Sequence, residues 1–135
     1  MIDSRTAPYA ALLLRVSLGV LFLAHAGLKF FDSVGLPPAL AYLTIAVEVL
    51  GGIALIFGLW TRIVALIVVP ILLGAIFTVH GAAGFFFTNA NGGWEFPAFW
   101  IVALIVQALL GDGIYALRPW RTDSSAAKLA GAYSN

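Results

Sequence analysis

A few side chains able to do chemistry stand out because almost everything around them is apolar: Arg15, His25, Lys29, Glu48, His80, Glu95, Gln107 and Asp112. A carboxyl and an imidazole held away from water can pass protons, which makes Glu48 and His25 the pair with the clearest catalytic potential. Lys29, His80, Glu95 and Gln107 can line a pocket beside them and hydrogen-bond a substrate. Arg15 and Asp112 carry opposite charges and can form a structural ion pair. Two histidines can in principle hold a haem or a metal between helices, but no ligand spacing supports it, so no metal is expected.

The segments that must position these groups follow from hydropathy. The chain has 135 residues, 62% hydrophobic and 10% charged. A soluble chain this short has no interior large enough for so much apolar surface, whereas a lipid bilayer removes the need for one. Four apolar runs, about 9–31, 38–60, 63–81 and 97–117, are each long enough to span the hydrocarbon core as a helix. The expected fold is therefore an all-α membrane protein, a single domain built as a four-transmembrane-helix bundle, with 118–135 a polar, flexible cytoplasmic tail. Pro38 and Pro97 fall near helix starts, and Pro70 predicts a kink in the third span. Trp60, Trp94, Trp100 and Trp120 are expected at the membrane interfaces. The connections 32–37 and 61–62 are short, whereas 82–96 is a Gly/Asn-rich loop whose Phe85, Phe86 and Phe87 should lie against the membrane.

Lys and Arg placement sets the orientation. With both termini in the cytoplasm, Arg5, Arg62, Arg118, Arg121 and Lys128 lie inside and Lys29 outside; the reverse would invert the bias. A multi-pass membrane location follows as the expectation. A cleaved signal peptide ending near Ala24-His25-Ala26 is the alternative for the first span, disfavoured by Arg15 within its apolar core.

Helical geometry then sorts the polar groups into tiers. Arg15, Phe22, His25 and Lys29 fall within about an 80° arc of the first helix. Counting rises along antiparallel helices puts Glu48 between the levels of His25 and Arg15, roughly 6–9 Å in height from each. Gln107 is then level with Glu48, and Asp112 with Arg15. Lys29, His80 and Glu95 come together at the outer face. The blander readings are an Arg15–Asp112 pair that fixes helix register, Lys29 and Glu95 snorkelling to the interface, Gln107 as interhelical glue, and an interfacial His80. Gly51-Gly52 after Glu48 allow a neighbouring backbone to approach closely.

Some functions are excluded. Net charge is +1, which gives nothing to attract nucleic acid. There is no cysteine, so disulfide, thiol-redox and iron–sulfur chemistry are absent from the chain. No dinucleotide, P-loop or nucleophile-elbow motif occurs.

Arg15 with Leu18-Gly19, His25-Ala26-Gly27 and Lys29, then Glu48 with Gly51-Gly52, resembles the DoxX family of small bacterial membrane proteins. So do Gly58-Leu59 before Thr61-Arg62, His80 with Gly84-Phe85-Phe86, Gly92-Gly93 with Glu95, and Gly111-Asp112-Gly113. Ala26 departs from the glycine usual after that histidine. The resemblance extends over about residues 10–118. It implies a four-helix membrane bundle linked to quinone or thiosulfate redox metabolism, or to quinone-stress resistance. A quinone as ligand and an oxidoreductase partner subunit are what it implies for cofactor and partners; a homo-oligomer is expected instead from size, since four helices enclose too little volume for transport alone. A small-solute transporter and a non-catalytic assembly protein are the competing functions, and whether the chain is an enzyme by itself is left open.

Overall fold

The computed structural model describes residues 3–31 and 37–118. Helix α1 is Ala7–Phe31, α2 is Pro38–Phe57, α3 is Thr61–Ile67 and α4 is Val69–Ala75. A π-helical turn, Ile76–His80, and a 3-10 turn, Gly81–Ala83, continue α4, and α5 is Glu95–Leu110. The run Thr61–Ala83 is one helical path of 23 residues, so three helical runs, with Ala7–Phe31 and Pro38–Phe57, are long and apolar enough to cross a membrane. α5 is equally apolar but has only 16 residues.

Each boundary has a local cause. α2 ends because Gly58 takes a left-handed conformation, φ 69°, and its N–H turns back to the carbonyls of Ala54 and Leu55. A Cβ at Gly58 would collide with the Arg15 guanidinium, so the same glycine makes room for a charged neighbour. The second span therefore stops at Phe57 rather than about 60, and the next helix begins at Thr61, inside the expected 61–62 connection. The kink expected at Pro70 is the break at Val68 between α3 and α4, with Pro70 in the first turn of α4.

The largest departure from expectation is the last span. α5 stops at Leu110, not about 117, because Gly111 (φ 87°) and Gly113 (φ 68°) turn the chain back across the end of the bundle. There, Leu117 N donates to Phe57 O at 3.0 Å, Arg118 N to Gly58 O at 3.1 Å, and Trp60 N to Arg118 O at 3.2 Å. Arg118 also lies over the Trp60 ring, 5.2 Å from its centroid. Most of the expected 32–37 connection and of the tail, with Trp120, Arg121 and Lys128, falls outside the described residues.

α1 and α2 form the tightest pair. A Cβ on Gly19 would sit 2.6 Å from the Gly52 carbonyl oxygen, and one on Gly52 would sit 2.9 Å from that of Gly19, so the two backbones touch where neither has a side chain. α3 and α4 pack on α5, and α5 on α1. The result is inverted relative to a soluble domain: Arg15 and Glu48 are 1% exposed, whereas Leu13 is 70% and Leu109 75% exposed. That arrangement fits a lipid surround, in which an apolar surface costs nothing and a charge must face inward.

Candidate functional site

The site begins on α1 and α2. On α2, Glu48, Gly51, Gly52 and Leu55 share the inward face at helical spacing. The glycines bring α1 close, and Lys29, in the last turn of α1, reaches inward and donates through Nζ to Glu48 Oε1. Lys29 therefore does not snorkel to the interface. Glu48 is buried, and its Oε2 has no hydrogen-bond partner among the described residues. One turn before Lys29, His25 lays its ring against Trp100 of α5, centroids 4.9 Å apart, and near Phe96 at 6.3 Å.

These groups line a cavity of about 640 Å³. Glu48, Thr44 and Leu40 form one wall and Ile71, Ala75 and Thr78 another, with Trp100 and Phe96 from α5. Phe87, Asn91, Gly92 and Gly93 from the 84–94 loop also line it. His80 ties that loop down: its Nδ1 lies 2.9 Å from the Gly92 carbonyl, a contact that needs the proton on Nδ1. Glu95 does the same from outside the cavity, its Oε1 accepting the Phe87 N–H at 2.9 Å. Trp94 N and Glu95 N close the loop onto the Gly84 and Phe85 carbonyls, each at 3.0 Å. Phe86 and Phe87 remain exposed.

His25, Lys29, Glu48 and His80 are thus brought to one cavity, while Gln107 and Glu95 are not part of its lining. Gln107 does not meet Glu48. It is buried two turns further along α5 than Trp100, where its Nε2 donates to the Gly111 carbonyl at 2.7 Å. The chain reversal at Gly111 leaves that carbonyl without a helical partner, and Gln107 satisfies it. Arg15 and Asp112 lie at the same end as Gln107. Arg15 Nη2 donates to Ile114 O at 3.3 Å, and Asp112 Oδ1 accepts the Thr61 N–H at 3.2 Å at the start of α3. Asp112 is near enough for its charge to act on Arg15.

Trp100 is also placed differently from the expectation. It is not interfacial but buried, with Phe22 at 4.6 Å on one side and His25 on the other. Its spacing with Leu104 and Gln107 marks the inward face of α5 and was the available signal. The part played by Thr44 and by Asn91-Gly92-Gly93 in the wall carries no comparable signal.

An inward-facing ion pair beside a mostly apolar cavity, in a bundle with three helical runs long and apolar enough to cross a membrane, fits a small multi-pass membrane protein. The sequence pattern of the DoxX family matches residues 10–81, and the chain belongs to that family. It is 38% identical over 118 residues to the protein named "Putative oxidoreductase CatD" of Bacillus subtilis (strain 168), a match covering 81% of this chain and 84% of the relative. No solved structure matches the chain.

Proposed function

We propose that the chain is a four-span protein of the bacterial plasma membrane, N-in and C-in, that binds a quinone in this cavity and serves quinone-linked redox chemistry, alone or as a subunit of an oxidoreductase complex. The supporting observation is the Lys29–Glu48 pair buried in the wall of a cavity that is otherwise mostly apolar. A quinone is a flat apolar ring with two carbonyl acceptors, and it needs donors at one end and apolar contact elsewhere. When bound, it supplies two-electron, two-proton redox chemistry.

The residues fit that ligand. Lys29 Nζ and the His25 ring are the donors for a carbonyl oxygen. Glu48, a lining residue whose buried Oε2 has no partner among the described residues, is the group that would hold or release a proton. Leu28, Ile71 and Phe96 exclude water from the ring. His80 has its Nδ1 proton on the loop, so its role is to hold Gly92 and Gly93 against the cavity. The oxidoreductase name of the relative agrees with a redox role. Without cysteine, electrons must pass from the ligand to a partner subunit or a second substrate. A homo-oligomer is compatible with the broad lipid-facing surface of α5.

Mass spectrometry of lipid extracts from the purified protein tests the reading. Wild type should carry a quinone, and Lys29→Met with Glu48→Gln should carry far less. Wild type stripped of quinone when prepared from quinone-containing membranes would overturn it.

A further inference from the structure

Each helix of the bundle carries the same sequence of layers. Along α1, Lys29 and His25 give way to Phe22 and Leu18, and then to Arg15. Along α2, Glu48 is followed by Leu55 and then by the Gly58 turn that receives Arg15. Read from the cavity, the run through α4 and α3 passes Thr78 and Ala75, then Leu72, Val68 and Ala65, and ends at Thr61. α5 passes from Trp100 to Leu104 to Gln107. The middle layer, Leu18, Phe22, Leu55, Ala65, Val68, Leu72 and Leu104, is a single packed cluster, every member at most 4% exposed.

From this layering we infer that the cavity is a one-sided chamber. The Glu48–Lys29 pair exchanges protons and small solutes with the end of the bundle that carries residues 84–94, and a dry apolar plug separates it from the Arg15–Asp112 end. The plug extends over about 10 Å, the rise of the seven residues from Arg15 to Phe22. Water does not occupy a packed apolar layer, and a proton has no carrier across it. The polar atoms on the far side do not bridge the gap. Gln107 Nε2 and Arg15 Nη2 bond the backbone carbonyls of Gly111 and Ile114, and the remaining polar atoms of both side chains are buried without a bond to any cavity residue. The chain is therefore not a conduit for a solute. Any proton taken up or released at the site appears on one side of the membrane. This rests on the functional reading above only for which side that is; the plug itself is independent of the ligand.

The cysteine-free sequence makes the test direct. Single-cysteine variants of the full chain in sealed vesicles are exposed to a charged, membrane-impermeant thiol reagent added to one side at a time. Thr44→Cys, in the cavity wall, should be labelled only from the side of residues 84–94. Leu117→Cys should be labelled only from the other, and Ala65→Cys, in the plug, from neither. In the same vesicles, proton flux under an imposed potential should match protein-free vesicles for wild type and rise in Leu104→Ser. Labelling of Thr44→Cys from the Leu117 side, or wild-type flux above the protein-free level, overturns the inference. An inverted orientation would exchange the two labelled sides without making either variant reactive from both. Absence of a quinone would leave the pattern unchanged, so failure of the functional reading is separable from failure of this one.

Discussion

The bundle buries charge at both ends, but in different ways. At the cavity end, Glu48 and Lys29 answer each other beside open space, and one carboxylate oxygen is left without a partner. At the other end, Arg15, Thr61, Gln107 and Asp112 are closed in by the chain reversal at 111–118. Arg15 Nη2, Gln107 Nε2 and Asp112 Oδ1 bond backbone groups, while Arg15 Nε and Nη1, Thr61 Oγ1 and Gln107 Oε1 are buried without a partner among the described residues. A charge satisfied by backbone fixes where a chain turns. A charge left beside a void costs stability unless a ligand uses it. The difference that separates the ends is the open cavity at one and the closed chain reversal at the other, and it is what supports the proposed placing of chemistry at the cavity end.

The sharpest way to break this contrast is at Arg15. Arg15→Ala should cost about 3 kcal/mol or more, because it strips a buried charge from Asp112 and leaves the Ile114 carbonyl unpaired. Thermal unfolding in detergent checks it, and Arg15→Ala with Asp112→Ala should recover part of the loss. A double variant no more stable than the worse single would mean that the two charges do not act together.

At the other end, Glu48→Gln keeps volume and hydrogen bonding and removes the titrating group. It should lower quinone-linked turnover or quinone-stress survival by about 100-fold or more while the chain still folds, with a melting temperature lowered by the loss of the ionic partner of Lys29 and partly recovered in Lys29→Met with Glu48→Gln. Loss of stability with unchanged activity would place Glu48 with the structural end instead.

Between the ends, Gly52→Ala puts a Cβ 2.9 Å from the Gly19 carbonyl and should cost about 1–3 kcal/mol by prising α1 from α2. Since the same contact sets the reach of Lys29 to Glu48, ligand retention should fall as well, and a melting curve paired with quinone content measures both. Gln107→Leu is the mildest, about 1 kcal/mol, from one lost bond to Gly111. Its quinone content should be that of wild type, because Gln107 lies beyond the plug.

Much of this was readable from residue order. The positions of the first three helical runs follow from apolar length, and the polar seam of Arg15, His25 and Lys29 follows from the helical repeat. That Glu48 and His25 face one cavity needed only the rise per residue and a short connection. The partner of Glu48 was not legible, because lysine has a long flexible stem that can point either to water or inward, and packing decides which. The fourth helix was overestimated because Ile114 to Leu117 is as apolar as a helix interior. Only the positive φ of Gly111, Gly113 and Tyr115 reveals that this stretch turns back. Gln107 was matched to Glu48 by height alone, counted from the helix starts, and a height count cannot foresee a carbonyl exposed by an early stop.

The brevity of α5 has a consequence beyond the site. Sixteen helical residues measure about 24 Å, against a hydrocarbon core of about 30 Å. In the four-span arrangement, lipids flanking α5 must shorten their reach to meet it, and this hydrophobic mismatch carries a modest elastic cost in the surrounding bilayer. Two copies that place their α5 faces together share one thinned region instead of deforming the bilayer twice. In that proposed arrangement the short helix would give the membrane itself a weak attraction between copies, strongest where acyl chains are longest and fading in thin bilayers.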